Sequence, residues 1–171
     1  GEIERRVLAG SVDVGVSFIP TTHREFDVER LFEEQLVLAL HPSHRLAKRR
    51  TIGVSQLNQE RFCLLDRSFC TRRLIEECFR QGEAELNLAV EMNSVEGILA
   101  TVEAGGPPTI LPRLGVAHSS ILKCVELRNP TPSRTICVLR SKGHAPISAR
   151  DVFINRLKEQ VNYQADSTRA G

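Results

Sequence analysis

The 171-residue sequence contains no apolar run of about 20 residues and no charged-then-apolar leader, so neither membrane spanning nor secretion is supported. It has no C-x-x-C spacing either. Its five cysteines, Cys63, Cys70, Cys78, Cys124 and Cys137, are odd in number, which argues against a disulfide framework or a zinc ribbon and points to a reducing, cytoplasmic compartment. No two of the histidines His23, His41, His44, His118 and His144 have i, i+4 spacing on a predicted helix, so no metal site is expected. A surplus of one charge sign is also missing. The 23 basic and 21 acidic residues are interspersed and leave a formal charge of +2, so no face is built for a polyanion and nucleic-acid binding by this chain alone is not expected. No Gly-rich elbow, nucleophile–base pair or phosphate-cradling loop is present, so the chain is not expected to be an enzyme or to carry a cofactor.

What is present is ordinary globular material, 41% hydrophobic and 26% charged, enough for one domain or two small lobes. "GEIERRVLAGSVDVGVSF" reads as the end of an amphipathic helix, with Ile3, Val7 and Leu8 on its apolar side, a stop at Gly10 and a strand over 12–18. That helix has no capping start and no preceding strand, so the chain is expected to be cut inside a βα unit. "DVERLFEEQLVLALHP" predicts two strands, over 27–32 and 35–41, separated by a short acidic turn. A regular rhythm follows: strand 62–65, helix 71–81 closed by Gly82, strand 86–91, helix 95–104 closed by Gly105, strand 109–112. Such alternation predicts a parallel-sheet α/β lobe. Strands over 123–127 and 135–140 and a final amphipathic helix ending near Tyr163 complete the pattern.

Polar chemistry crowds into one strand-to-helix junction, "LLDRSFCTRRLIEECF". Ser68 and Thr71 flank the helix start, where their hydroxyls serve either as caps or as ligand donors. Arg72 offers a planar fork for an anion, whereas Arg73 points about 100° away, toward solvent. Phe69 is either a lid on a ligand or a plug between lobes. The next junction, "VEMNSVEGILA", repeats the ambiguity: Asn93 and Glu96 have N-cap and N3 spacing, and Asn93 and Ser94 are either caps or ligand donors. Ligands of open α/β sheets bind outside the carboxyl ends of strands, where helix N-termini point.

Five segments in order, "GEIERRVLAGSVDVGVSF", "LVLALHPSHRLAKR", "SFCTRRLIEECFRQG", "VEMNSVEGILATVEAG" and "TILPRLGVA", resemble the effector-binding domain of LysR-type transcriptional regulators. The "SFCTRRLIEECF" wording is most similar to the branch containing the cyanate-operon regulator. The resemblance implies an α/β, two-lobed fold like that of type 2 periplasmic binding proteins. Residues 1–60 would form lobe I, lacking its first strand, helix and second strand; 61–140 would form lobe II; 141–163 would return to lobe I with the last helix; 164–171 would be a tail. It further implies a small effector, expected to be an anion, held between the lobes. Ser68, Phe69, Thr71, Arg72, Asn93 and Ser94 would line one wall, and Ser17, Phe18 and Ile19 the opposite one. The implied protein is a homo-oligomer that reaches DNA only through an N-terminal winged helix-turn-helix absent from this chain. A solute-binding protein of a transport system, sharing the fold, is the alternative. One departure stands out: in "AGGPPTILP", Pro107 and Pro108 replace a Gly-x-Gly turn and remove two backbone donors.

Overall fold

The computed structural model describes residues 1–21, 23–142 and 148–169, with the side chains of all of these except 148 and 162–169. The chain divides into two compact units, one of residues 1–33 and 134–171 and one of residues 34–133. The expected lobe boundaries, after 60 and after 140, therefore differ from the observed ones. The reason lies in one strand, Phe26–Leu40 (β2). Its second half, Leu36–Leu40, is fully apolar and packs into the core of the second unit.

The first unit holds helix Glu2–Leu8 (α1), strand Gly15–Ile19 (β1), the opening residues of β2, and helix Ser148–Arg169 (α4), which continues past the expected end at Tyr163. Most of strand Ser133–Ser141 (β8) belongs to it too. β1 pairs antiparallel with β8, from Gly15 opposite Leu139 to Ile19 opposite Thr135. The core is small: Val7, Phe26, Cys137 and Leu139. Gly10 ends α1 with φ +67°, a conformation that costs glycine little. Of the residues expected on the apolar side of α1, Val7 is buried while Ile3 stays 43% exposed.

In the second unit, β2 runs antiparallel to both Thr109–Pro112 (β6) and Lys123–Arg128 (β7), and Thr51–Gly53 (β3) is parallel to β7. Arg61–Leu65 (β4) and Asn87–Met92 (β5) form a parallel pair. The strands expected in one parallel sheet are thus divided: β4 and β5 form a two-stranded parallel sheet, while β6 pairs antiparallel with β2 in a separate, mixed sheet. The acidic turn expected at Glu33–Glu34 is absent. Glu34 is buried and its carboxylate accepts a hydrogen bond from the Leu114 backbone N–H at 3.1 Å, so the strand runs through.

Alternation along Leu36–Leu40 distributes the core. Leu36, Leu38 and Leu40 join Phe62, Leu64, Ile75, Phe79 and Ile110 on one face, while Val37 and Ala39 join Cys63, Leu65, Ile98, Val102 and Leu111 on the other. Burial on both faces is why this stretch reads as a continuous apolar run. Helix Cys70–Gln81 (α2) contributes Ile75 and Phe79 to the first cluster, and helix Val95–Glu103 (α3) contributes Ile98 and Val102 to the second. Phe62 and Phe79 meet edge to face with centroids 5.6 Å apart, a favourable geometry for the ring quadrupoles. These clusters fix the two helices against β4 and β5 and so fix where the helices begin.

Candidate functional site

β4 and β5 are parallel neighbours, so their carboxyl ends lie side by side: Leu65 is opposite Met92, and Asp66 N–H donates to Met92 O at 2.9 Å. Each strand leads into a helix. α2 begins after Phe69 and α3 after Ser94. Beside these ends is an open cavity of about 500 Å³, lined by Asp66, Glu91, Met92, Asn93, Ser94 and Gly97. Its size falls in the range of small-molecule pockets.

At the α2 start, Ser68 is not the cap. The N-cap residue is Phe69, extended at φ −84° and ψ 132°, and no side chain caps it. Ser68 instead donates its backbone N–H to Asp66 Oδ1 at 2.8 Å, closing an Asx-type turn. Hydrogen bonds from the Ser68 side chain first and its backbone second hold the Asp66 carboxyl below the usual range. The first turn of α2 contains no acidic residue. Thr71 is buried, Phe69 is half-buried and packs against the second core cluster, and Ser68 is exposed.

Arg72, expected as an open anion clamp, is 5% exposed and already engaged. Its Nη1 donates to Glu91 Oε2 at 2.8 Å and to Leu65 O at 3.0 Å, while Nε lies 3.1 Å from Glu76 Oε1 without the alignment of a hydrogen bond. Arg73 is exposed, as its position on the helix predicts. The α3 start is organised differently. Ser94, one residue later than the expected Asn93, is the N-cap; its Oγ accepts from Gly97 N at 3.2 Å and donates to Glu96 Oε2 at 2.8 Å. Glu96 is held below the usual carboxyl range by its own backbone N–H first and by Ser94 second. Asn93 is exposed at the cavity rim.

Six of the nine expected site residues, Ser68, Phe69, Thr71, Arg72, Asn93 and Ser94, are thus gathered at two adjacent strand ends, although only Asn93 and Ser94 line the cavity. Ser17, Phe18 and Ile19 belong to the first unit. All three are half-buried in β1, and the Arg134 guanidinium sits 4.2 Å over the Phe18 ring. Asp66, Glu91, Met92 and Gly97 were not expected. The signal was available for the first three, since each sits at the carboxyl end of a predicted strand. Cys70 is half-buried, and burial pushes the Cys78 thiol up to about 11. Among the described residues no His/Cys/Asp/Glu group is arranged to hold a metal ion, and no helix is long and apolar enough to cross a membrane.

Parallel strands that lead into helices beside an open cavity are the arrangement of an α/β small-molecule-binding module. Residues 1–162 match the LysR substrate binding domain, and the chain belongs to that family. The fold is accordingly the two-lobed, periplasmic-binding-protein-like type 2 fold. The chain is 29% identical over 132 residues to the hydrogen peroxide-inducible genes activator of Haemophilus influenzae, covering 75% of this chain and 43% of that protein. It therefore spans about half the length of the curated relatives it matches. Among solved structures it resembles the CcmR regulatory domain of Synechocystis PCC6803 in complex with 2-PG, at TM-score 0.84 and 19% identity over 94% of this chain and 78% of that one. It also resembles the effector binding domain of QuiR in complex with shikimate, at TM-score 0.79 and 17% identity over 93% and 78% of the two chains.

Proposed function

We propose that this chain senses a small effector for a LysR-type transcriptional regulator and that the effector docks on the second unit, at the carboxyl ends of β4 and β5. The observation that carries this reading is the open cavity of about 500 Å³ at the paired carboxyl ends of β4 and β5, lined by residues of both strand ends and of the α3 start. The effector carries an anionic group. The α2 start favours one: no side chain caps it, no acid lies in its first turn, and its N–H groups bear the positive end of the helix dipole. Ser68 and Asn93, both exposed beside the two starts, provide polar contacts, and Arg72 acts from behind by holding Glu91. CcmR with 2-PG and QuiR with shikimate show proteins of this fold taking small ligands. The sensing role is preferred over that of a transport solute-binding protein because the relatives are regulators. DNA contact and assembly belong to the regulator as a whole, and the Ser68–Phe79 wording supports kinship with the cyanate-operon regulator branch.

The test is a thermal-shift panel of small carboxylates and phosphates on this chain, followed by amide NMR with each compound that raises Tm. Saturable shifts confined to 66–72 and 91–97 are expected. Stabilisation by none of the panel, or shifts that avoid both helix starts, would remove the assignment.

A further inference from the structure

The cavity on the second unit has a wall unlike that of an anion hole. Of its six lining residues, Asp66 and Glu91 are carboxylates, Asn93 and Ser94 are neutral and polar, and Met92 and Gly97 are apolar. Apart from the uncapped α2 start, the positive features named above are already matched by the protein itself. Arg72 is shared between Glu91 and Glu76, and the α3 start is met by Ser94 and Glu96. Ser94 donates its hydroxyl hydrogen to Glu96, so toward a ligand it can only accept. Glu91 uses Oε2 on Arg72 and Asp66 uses Oδ1 on Ser68 N–H. A carboxylate has about four lone-pair sites, so each retains acceptor capacity. Among the described residues, the wall therefore offers acceptors nearly throughout, with the Asn93 amide as its one donor side chain.

Resting on the reading that a small anion docks at these strand ends, we propose that the part of the effector entering this cavity is a hydrogen-bond donor, a hydroxyl or an ammonium, received by Asp66 and Glu91. The effector class is then a hydroxy acid or an amino acid. Its anionic group meets the uncapped α2 start, and its donor end meets the carboxylates. Arg72 is a positioning residue here: buried and bonded to Leu65 O, it fixes the carboxylate of Glu91, which is itself 44% exposed.

Three six-carbon carboxylates of equal chain length separate the possibilities: hexanoate, which has no donor, 6-aminohexanoate, which has an ammonium, and gluconate, which has hydroxyls. Each is titrated into this chain and followed by amide shifts and by calorimetry. At least one of the two donor-bearing acids should bind tenfold or more tighter than hexanoate. Asp66→Asn, which keeps an Asx-type turn, should reduce that preference severalfold, as should Glu91→Gln. Glu76→Gln, which touches Arg72 but does not line the cavity, should leave it unchanged. Hexanoate binding as tightly as the other two would overturn the donor subsite while leaving the anion reading in place, and so would an unchanged preference in Asp66→Asn and Glu91→Gln. Binding by none of the three would overturn the inference, and the wider panel of anions would then show whether the parent reading falls with it.

Discussion

At the start of α3 a serine caps the helix and a glutamate closes over it; at the start of α2, four residues after Asp66, no side chain caps the helix and the nearby arginine is turned inward. Both junctions follow parallel strands of one pair, and both bring Ser, Asn or Asp, and charge together. Their difference shows that polar residues at a strand-to-helix junction divide between two tasks. Ser94 satisfies one orphan N–H group, that of Gly97, which stabilises α3 and leaves less for a ligand. Ser68 satisfies none, so the α2 start retains its positive end, while Asp66 and Glu91 add negative charge a short distance away. One pair of strand ends thereby presents two opposite electrostatic characters, which suits a ligand with two unlike ends.

The strongest way to break this comparison is at Arg72. Its removal strands the Leu65 carbonyl and leaves Glu91 and Glu76 without their shared cation. Losing one partner of a buried pair costs about 3–5 kcal/mol, but these carboxylates are 44% and 34% exposed and can be rehydrated, so the expected loss for Arg72→Ala is about 2–3 kcal/mol. Arg73→Ala, one residue away and exposed, should change stability by less than about 0.5 kcal/mol. Urea denaturation of both variants measures the difference. Equal losses would mean that Arg72 is not the buried hub.

A smaller effect separates the two serines. Ser94→Ala removes the α3 cap and should cost about 1 kcal/mol. Ser68→Ala retains the backbone N–H that bonds Asp66 and should cost only about 0.5 kcal/mol or less. Reversal of that order in denaturation midpoints at equal m-values would show that the caps have been assigned to the wrong serine.

Those serines also mark the limit of what could be read from the chain. Strand Thr109–Pro112 and the start of helix Val95–Glu103 were legible because short apolar runs and helix-spaced apolar residues leave few alternatives. The six residues clustered at the β4 and β5 ends were legible because the strand–helix rhythm places both junctions at carboxyl ends. The inward turn of the Arg72 side chain was not, since an arginine in a first turn looks the same whether it faces solvent or is drawn inward. The choice was made by Glu91, 19 residues along the chain on a neighbouring strand. Glu33–Glu34 misled for the same reason: two acids suggest a turn until the Leu114 N–H, 80 residues later, claims one of them inside a continuous strand. Register and ion pairing are long-range properties, and local pattern does not carry them.

The finest probe of the two junctions is the titration of their carboxylates. Asp66 and Glu96 both have folded pKa values below their ordinary ones, Asp66 through the Ser68 side chain and then its backbone, and Glu96 through its own backbone N–H and then Ser94. A depressed carboxyl contributes stability that is fully present above its unfolded pKa and is lost as pH falls through the folded one. Both groups are at the surface, so solvent screens the effect and the change in stability should be slight; the titration curves carry the information. Carboxyl-carbon NMR should show both groups titrating below the usual range. In Ser94→Ala, the Glu96 midpoint should move part of the way up while Asp66 is unmoved, because the backbone bond to Glu96 survives. In Ser68→Ala, Asp66 should move up more fully, because its largest single contributor is lost, and Glu96 should be unmoved. A shift of both midpoints in either variant would mean that the two helix starts act as one electrostatic unit, and the proposed division of the site into an anion end and a donor end would no longer hold.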